Sequence, residues 1–236
     1  MAARTASLRE AVAQMEEFSY TVSHDLRAPL RGMNGYAEVL LEEFGAALPE
    51  RAQQYLLRIA ANAVRLDKMI LDVLTFSRVA RAELLLERVS VDKLARQIVE
   101  HYPGMQAPAA QIQIKTLHDV LGHEPSLTQA LSNLLNNAVK FVAPGNTPVV
   151  SMWSEQANSR VRIWVADNGI GVNPKYQHRL FKMFERMHPE LKYQGTGVGL
   201  AIVRKAVERM GGTVGMESDG VTGSRFWLEL NSPDTP

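Results

Sequence analysis

The chain has 236 residues, a formal net charge of +1 from 26 basic and 25 acidic side chains, and no cysteine. This balance gives no sign of a nucleic-acid or polyanion binder, and the lack of cysteine excludes disulfides, a thiol nucleophile and a cysteine metal site. No apolar run approaches the roughly 20 residues of a membrane span and the N-terminus lacks a signal peptide's apolar segment, so we expect a soluble, cytoplasmic segment.

Two long amphipathic helices are predicted in the first 85 or so residues. Apolar residues recur there at alternating spacings of four and three, and we call them the seam residues. The seam residues of the first helix are Leu8, Val12, Met15, Val22, Leu26, Met33, Ala37, Leu40 and Phe44, and those of the second are Ala52, Leu56, Ile59, Ala63, Leu66, Ile70, Val73, Ala80 and Leu84. Two such helices cannot close a core alone, so the pattern predicts an antiparallel hairpin within a dimeric four-helix bundle.

The remainder of the chain alternates between helical and strand periodicity. The pattern predicts helices around Leu94 and Ile98, over 127–142, from Pro174 through Met187 with Asn173 as N-cap, and over 198–210. It predicts strands at Ile112 and Ile114, over 149–153, 161–166 and 213–216, and around Leu228. Interleaved helices and strands of this kind indicate an α/β sandwich. We place the domains at residues 1–88 and 89–236.

A histidine in the first helix is a candidate nucleophile. His24 lies two residues from each of the seam residues Val22 and Leu26, so we expect it to point away from the seam, toward solvent. Asp25 is adjacent, and a carboxylate that accepts the imidazole Nδ1 proton leaves Nε2 as the nucleophile. Pro29 removes a backbone hydrogen bond and is expected to bend the helix. The simpler alternative is a surface histidine without a function.

Residues 133–141, with the sequence NLLNNAVKF, are predicted to lie on a helix. Asn133 and Asn137 are four residues apart and therefore share one face. Their amide oxygens suit Mg²⁺, which completes its coordination with water and phosphate oxygens, and Lys140 could reach the phosphates. A helix with a polar face is the alternative, although asparagines are poor helix formers and are costly there without a task.

Two glycine-rich segments follow. Asp167 ends a predicted strand and precedes Gly169 and Gly171, so its carboxylate could accept a hydrogen bond from an exocyclic amine. The segment GTGVGL at 195–200 opens a helix, where backbone amides can bind phosphate oxygens. Each pattern alone is weak, because turns use the same residues. An amine-binding and a phosphate-binding segment together suit a nucleotide, and the polar stretch 188–194 is predicted to be a mobile lid over it.

Taken together and in order, these segments resemble the histidine kinase family of two-component signalling. The run HDLRAP at 24–29 resembles the H box, and residues 133–141 resemble the N box. Residues 167–171 and 195–200 resemble the two glycine boxes, and FKMFER at 181–186 resembles the F box. The run LTFSR at 74–78 and the short lid are most similar to the kinase modules of bacterial phytochromes. The resemblance covers nearly the whole chain.

This resemblance implies a helical phosphotransfer hairpin joined to an ATP-binding sandwich of the Bergerat type. His24 would be phosphorylated by ATP with Asp25 as general base, and the phosphoryl group would pass to an aspartate in the receiver domain of a response regulator. The implied Mg²⁺ ligands are Asn137, principally, and Asn133. The implied nucleotide-binding residues are Asn133, Asn137, Lys140, Asp167, Gly169, Gly171, Gly195, Thr196, Gly197, Gly199 and Leu200. The implied partners are a second copy of the chain and an upstream sensor domain that this sequence does not contain.

One departure from the family pattern and one competing interpretation bear on function. Many relatives carry Thr or Asn four residues after the histidine, where it positions a water for dephosphorylating the regulator. Here that residue is Ala28, which has no hydrogen-bonding group, so we expect weak or absent phosphatase activity. The alternative function is a catalytically silent, dimeric nucleotide-binding scaffold. Other Bergerat ATPases share the asparagine and glycine segments but lack a phosphoacceptor hairpin.

Overall fold

The computed structural model describes the backbone of residues 2–185 and 195–234, and side chains within 21–23, 25–185 and 195–234. It divides into two compact units, Met1–Thr75 and Phe76–Pro236. The domain boundary that we placed after residue 88 stays a prediction. By packing, however, the last residues of the second helix already belong to the second unit. No helix within the described residues is both long and apolar enough to cross a membrane.

The first unit is a hairpin of two long helices. Helix α1 spans Ala2–Phe44, a 3-10 turn spans Gly45–Ala47, and helix α2 spans Glu50–Arg81, so that α2 continues into the second unit. The amide of Gln53 closes the turn, because its Nε2 donates to the carbonyl of Gly45 at 2.8 Å and to that of Leu48 at 3.1 Å. The predicted hairpin is therefore confirmed.

Few apolar side chains of the hairpin are buried. Ala37 and Ala63 are buried, and Arg27 Nε donates to Asp67 Oδ1 at 2.6 Å to join α1 to α2. Most of the larger seam residues remain exposed, namely Val22, Leu26, Met33, Leu40, Phe44, Ile59, Leu66 and Val73. Leu57, Val64 and Leu71 add a second exposed row at intervals of seven, which the two-residue seam did not predict. The apolar stripe is thus as wide as a four-helix bundle requires.

The second unit is built on one sheet. Its strands are β1 Glu87–Val89, β2 Gln111–Ile114, β3 Val120–Gly122, β4 Val149–Ala157, β5 Arg160–Asp167, β6 Thr213–Glu217 and β7 Ser224–Asn231. Its helices are α3 Val91–His101, α4 Glu124–Lys140 and α5 Gly199–Arg209, with short 3-10 helices at Pro103–Met105 and Pro174–Arg179. The strand order is β1-β3-β7-β5-β4-β2, and β6 pairs with β7. Only the β2–β4 pair is parallel among the described strands.

The core lies between the sheet and its three helices. Alternate residues of the central strands, such as Val161 and Ile163 in β5 and Leu228 in β7, are fully buried. They pack against apolar residues of α3, α4 and α5 in one cluster. Burying each such side chain contributes roughly 1.5–3 kcal/mol. Helices on one face of a mostly antiparallel sheet are the α/β sandwich that the sequence predicted.

The other face of the sheet carries a row of tryptophans. Trp153, Trp164 and Trp227 are direct neighbours on β4, β5 and β7. The rings of Trp153 and Trp164 stack with centroids 5.8 Å apart, and Trp164 meets Trp227 edge-on at 6.4 Å. Arg162 lies over Trp227 and also pairs with Glu229. This face is therefore covered by its own aromatic and charged side chains.

Two features of the second unit differ from the sequence prediction. The helix predicted from Pro174 through Met187 is wrong over its described part: a 3-10 helix ends at Arg179, and turns follow as far as Phe184. The end of that prediction, at Met187, lies outside the described residues. Phe184 has a φ of 64°, which is incompatible with a right-handed helix that passes through it. The predicted N-cap is confirmed, since Asn173 accepts a hydrogen bond from the Lys175 amide. The short strands β1 and β3 were not predicted, because three residues show no measurable period.

Candidate functional site

Helix α4 brings both predicted asparagines to one end of the sheet. Its apolar face is fully buried at Leu127, Leu131 and Leu135, which leaves Asn133 and Asn137 on the half-buried face. Asn133 donates through Nδ2 to the carbonyl of Gln129 at 2.9 Å. The amide nitrogen is thereby held on the helix, and its oxygen Oδ1, the atom that binds cations, points away toward Gly199.

Asp167 ends strand β5 and is held by two backbone amides. Its Oδ1 accepts from the Gly169 amide at 2.8 Å and from the Ser224 amide at 3.1 Å. Burial nevertheless outweighs these two bonds and raises the pKa of Asp167 from 3.8 to about 6. Its Oδ2 takes part in neither bond. The carboxylate is therefore fixed in orientation, with one oxygen left to accept a donor from a ligand.

The second glycine segment lies directly against α4. A Cβ on Gly195 would sit 2.7 Å from Lys140 Nζ, and one on Gly199 would sit 2.9 Å from Asn133 Oδ1. Both distances are shorter than real Cβ atoms show, so a side chain at either position would displace the Lys140 ammonium or the Asn133 amide. Lys140 Nζ also lies 4.4 Å from the centroid of the Phe141 ring. A cation, an amide oxygen and the first turn of α5 thus meet at one place.

The phenylalanine segment contacts the same loop. The Phe184 amide donates to the Gly197 carbonyl at 2.9 Å, and Gly197 adopts a φ of 76°. A Cβ on Gly197 would sit 2.8 Å from the Glu185 carbonyl oxygen. The predicted lid over 188–194 lies outside the described residues.

The first glycine segment contacts the end of α4. The Ile170 amide donates to the Phe141 carbonyl at 2.9 Å, and a Cβ on Gly169 would collide with that same carbonyl oxygen. The structure therefore brings the two glycine segments and the described part of the phenylalanine segment, residues 181–185, into contact with α4 or with one another. The Asn133 amide oxygen and the Lys140 ammonium lie at the second glycine segment, and Asp167 lies at the first. We call this group of contacts the candidate site.

A loop that sequence reasoning missed completes this site. Gly171, with a φ of 71°, lies so close to Gly220 that a Cβ would sit 2.7 Å from its carbonyl carbon. Ser218 accepts from the Val172 amide at 3.0 Å and donates to the Gly223 carbonyl at 2.7 Å. The two glycines at 220 and 223 were the available signal, and both adopt positive φ.

Thr196 and Leu200, two further residues of the predicted site, are packed against the protein interior. Thr196 is buried, and its Oγ1 accepts from the Val198 amide at 3.4 Å. Leu200 packs against the hydrophobic core. Both positions shape the turn that leads into α5.

The donor set suits a magnesium ion only in part. Within the described residues, no group of three or more His, Cys, Asp or Glu side chains could hold a metal. Asn133 and Asn137 instead offer neutral amide oxygens beside Lys140. Magnesium commonly takes one or two protein oxygens and completes its shell with water and substrate phosphates. The residues therefore fit Mg²⁺ that arrives with a polyphosphate.

The hairpin residues are less fully described. His24 lies within α1, but its side chain is outside the described residues, so its predicted orientation toward solvent stays a prediction. Asp25 and Ala28, on the same helix, are exposed.

Two family models match the chain in succession. Residues 14–82 match the His Kinase A (phospho-acceptor) domain, and residues 122–234 match the histidine kinase-, DNA gyrase B- and HSP90-like ATPase. Together they account for most of the chain. The first match extends to residue 82 and so includes the start of the second structural unit, which begins at Phe76.

Curated relatives agree with both matches. The chain is 38% identical to sensor histidine kinase AruS of Pseudomonas aeruginosa over 96% of its own length and 24% of AruS. It is 30% identical to phytochrome-like protein Cph1 of Synechocystis sp. over 95% of its own length and 30% of Cph1. The chain thus spans less than a third of these relatives. Since they include phytochrome-like and other sensor kinases, the phytochrome-like subgroup has only weak support.

Solved structures agree on the fold. Full-length ShkA, crystallised in complex with AMPPNP, superposes with a TM-score of 0.66 at 32% identity over 93% of this chain and 47% of ShkA. The Acinetobacter baumannii histidine kinase AdeS superposes with a TM-score of 0.61 over 89% of this chain and 98% of AdeS; at 21% identity it supports the fold alone. With a phospho-acceptor hairpin followed by an ATPase domain, the chain belongs to the sensor histidine kinase family.

Proposed function

We propose that this chain is a cytoplasmic catalytic core that transfers the γ-phosphoryl group of ATP to His24 and then to an aspartate of a response regulator. The observation that supports the proposal is the contact of α4 with both glycine segments: Asn133 and Lys140 lie against the second, and Phe141 bonds to the first, which follows Asp167. That site belongs to the same chain as a phospho-acceptor domain.

The site would bind ATP at both ends. The Oδ2 of Asp167 would accept a hydrogen bond from the exocyclic amine of adenine, since Oδ1 is already engaged. Backbone amides at the start of α5 and the ammonium of Lys140 would bind the phosphates. Asn137 and Asn133 would hold Mg²⁺ through their amide oxygens, and the ion would neutralise phosphate charge.

The transfer step would need only a nucleophile and an acceptor for its proton. Nε2 of His24 would attack the γ-phosphorus, the bond to the β–γ bridging oxygen would break, and ADP would leave. Asp25 would accept the Nδ1 proton of the imidazole. The resulting phosphohistidine would then pass its phosphoryl group to a carboxylate oxygen of the regulator and return to free histidine.

A second copy of the chain would complete the hairpin. The exposed seam residues and the row Leu57, Val64 and Leu71 present apolar surface on both helices. Between the helices, a pocket is lined by Leu30, Asn34, Ala63 and Val64. The side-chain amide oxygen of Asn34 is buried and has no hydrogen-bond partner among the described residues. A homodimeric four-helix bundle would cover both features. An upstream sensor domain would supply the signal.

The first experiment is incubation of the chain with γ-labelled ATP and Mg²⁺, beside His24→Gln. We expect acid-labile label in the parent and none in the variant. His101→Gln, at the exposed end of α3, is the matched control and should keep the label. If nucleotide binds but neither the parent nor the control is labelled, the chain is a silent scaffold and the kinase proposal fails.

The proposal includes weak phosphatase activity, because the exposed residue at position 28 is alanine. The parent should leave a phosphorylated cognate regulator almost unchanged. Ala28→Thr supplies a hydroxyl that can orient water and should speed dephosphorylation. Rapid dephosphorylation by the parent would contradict this expectation.

A further inference from the structure

The last residue of α5 binds the end of α2. Arg209 is exposed, yet its Nη1 donates to the Ala80 carbonyl at 2.7 Å and its Nη2 donates to the Ala82 carbonyl. All three residues belong to the second unit, Phe76–Pro236. The guanidinium therefore joins two segments that are 129 and 127 residues apart in sequence.

The acceptors are carbonyls that a helix end leaves without partners. Helix α2 ends at Arg81, and its last intrahelical bond runs from the Ala82 amide to the Arg78 carbonyl at 2.9 Å. The carbonyls that follow cannot bond within the helix. The guanidinium of Arg209 donates to the carbonyl of Ala80, in the last turn, and to that of Ala82, just beyond the helix. Its positive charge also interacts favourably with the negative end of the helix dipole. Arg209 thus acts as a C-terminal cap supplied by another helix.

The same helix α5 begins at the candidate nucleotide site. Its first residue, Gly199, lies against Asn133 Oδ1. Helix α5 has 11 residues, so its first residue lies about 15 Å along the axis from its last, Arg209. Buried residues Ile202, Val203 and Ala206 fix the helix in the core between its two ends. Helix α5 therefore begins in the second glycine segment and, at its other end, contacts the end of α2.

We propose that Arg209 is a positioning residue for phosphoryl transfer to His24. By holding the last turn of α2 on α5, it fixes where the phosphoacceptor hairpin leaves the ATP-binding domain. The inference rests on the kinase function proposed above and adds to it a residue remote from the nucleotide. Losing the contact leaves the ATP site intact and lets the connection between hairpin and domain sample more orientations.

A neighbouring arginine provides the matched control. Arg204 is also exposed on α5, and among the described residues it pairs only with Glu208 one turn away, at 2.6 Å. Arg204 and Arg209 have the same charge and occupy the same helix. Within the described part of the chain, Arg209 hydrogen-bonds to the end of α2 and Arg204 does not, so a difference between the two alanine variants reports that contact and not the charge of the helix.

The experiment compares Arg209→Ala with Arg204→Ala and the parent, in the full chain. Initial rates of His24 labelling are measured across ATP concentrations. For Arg209→Ala we expect the maximal rate to fall about tenfold, because a misplacement of about 1 Å can cost about 100-fold and the loss of one remote contact displaces the reacting groups less. The apparent KM for ATP should stay within about twofold of the parent. Arg204→Ala should match the parent, and Arg209→Lys, which keeps one donor group, should recover part of the rate. A maximal rate within twofold of the parent, or a loss that appears only in KM, overturns the proposal.

A second measurement separates this inference from the kinase proposal. Hydrogen exchange of the amides at 82–86 should accelerate in Arg209→Ala and stay at the parent rate in Arg204→Ala. If the parent carries no label on His24, the kinase proposal fails, while exchange still reports whether the contact restrains this segment. Unchanged exchange in Arg209→Ala overturns the positioning role.

Discussion

Two leucines of the same size have opposite surroundings in the two units. Leu131 in α4 is 0% exposed, whereas Leu57 in α2 is 57% exposed. The ATP-binding unit buries its apolar residues within its own chain, between a sheet and three helices. The hairpin buries chiefly alanines and presents its larger residues outward. The second unit thus has a closed core of its own, whereas the exposed apolar residues of the hairpin would be buried only in the homodimer that we propose.

The largest effect is expected from replacing each of these two leucines by alanine. Leu131→Ala should lower the free energy of unfolding of the second unit by about 3–4 kcal/mol, because it leaves a cavity in a closed core. Leu57→Ala should leave that transition unchanged and weaken self-association. Chemical denaturation and sedimentation measure the two quantities. Equal destabilisation of the second unit by both variants would contradict the comparison.

The second effect concerns Gly197, a glycine of the candidate site whose neighbours leave no room for a side chain. Gly197→Ala should lower nucleotide affinity more than tenfold, since alanine is strained at a φ of 76° and its Cβ would clash with Glu185. Gly104→Ala, which meets open space, is the control. Calorimetric titration with a nonhydrolysable ATP analogue distinguishes them, and equal affinities would remove Gly197 from the site.

The third effect is a pH dependence confined to the second unit. Asp167 has a folded-state pKa of about 6, above the usual 3.8, so the folded chain binds more protons than the unfolded chain between these values. Its contribution to stability is therefore present at low pH and declines as the pH rises from about 4 to 6. Adenine binding has the opposite sign: the amine prefers the carboxylate, so affinity should fall as the pH drops through 6. Asp167→Asn should bind weakly and lose this pH dependence.

The smallest effect concerns the hairpin's ion pair. Arg27 and Asp67 are partly exposed, and such pairs contribute little. Arg27→Asp should lower the hairpin's thermal midpoint slightly, and the exchange of both residues, Arg27→Asp with Asp67→Arg, should restore it. Circular dichroism at 222 nm follows the helices. A large loss that the double exchange does not repair would show that the pair has another role.

The sequence predicted those parts of the molecule that repeat or that carry distinctive residue types. The seam spacing predicted the hairpin, apolar runs predicted β4 and β5, and alternation predicted β7. The asparagines were found because such residues are costly in a helix without a task, whereas Asp167 and the glycines gained weight only from the order of the segments. The order of the segments then identified the family.

The remainder depended on tertiary contacts that leave no local signal. Phe184 lies within a predicted helix, but it has a positive φ and its amide bonds to Gly197, a residue that is not adjacent in the sequence. The raised pKa of Asp167 reflects burial by the whole unit. Arg209 reads as an ordinary surface charge, because its acceptors lie far away in the sequence.

The row formed by Trp153, Trp164 and Trp227 gives the molecule a built-in optical reporter. These are all three tryptophans of the chain, and they lie on the sheet of the second unit. Tryptophan fluorescence, excited selectively over that of tyrosine, therefore follows the melting of the ATP-binding unit, while ellipticity at 222 nm is dominated by the long helices of the hairpin. The unfolding of each unit can thus be followed separately in one unlabelled sample. If the hairpin is stabilised by self-association, dilution should lower the midpoint measured by ellipticity and leave the midpoint measured by fluorescence unchanged.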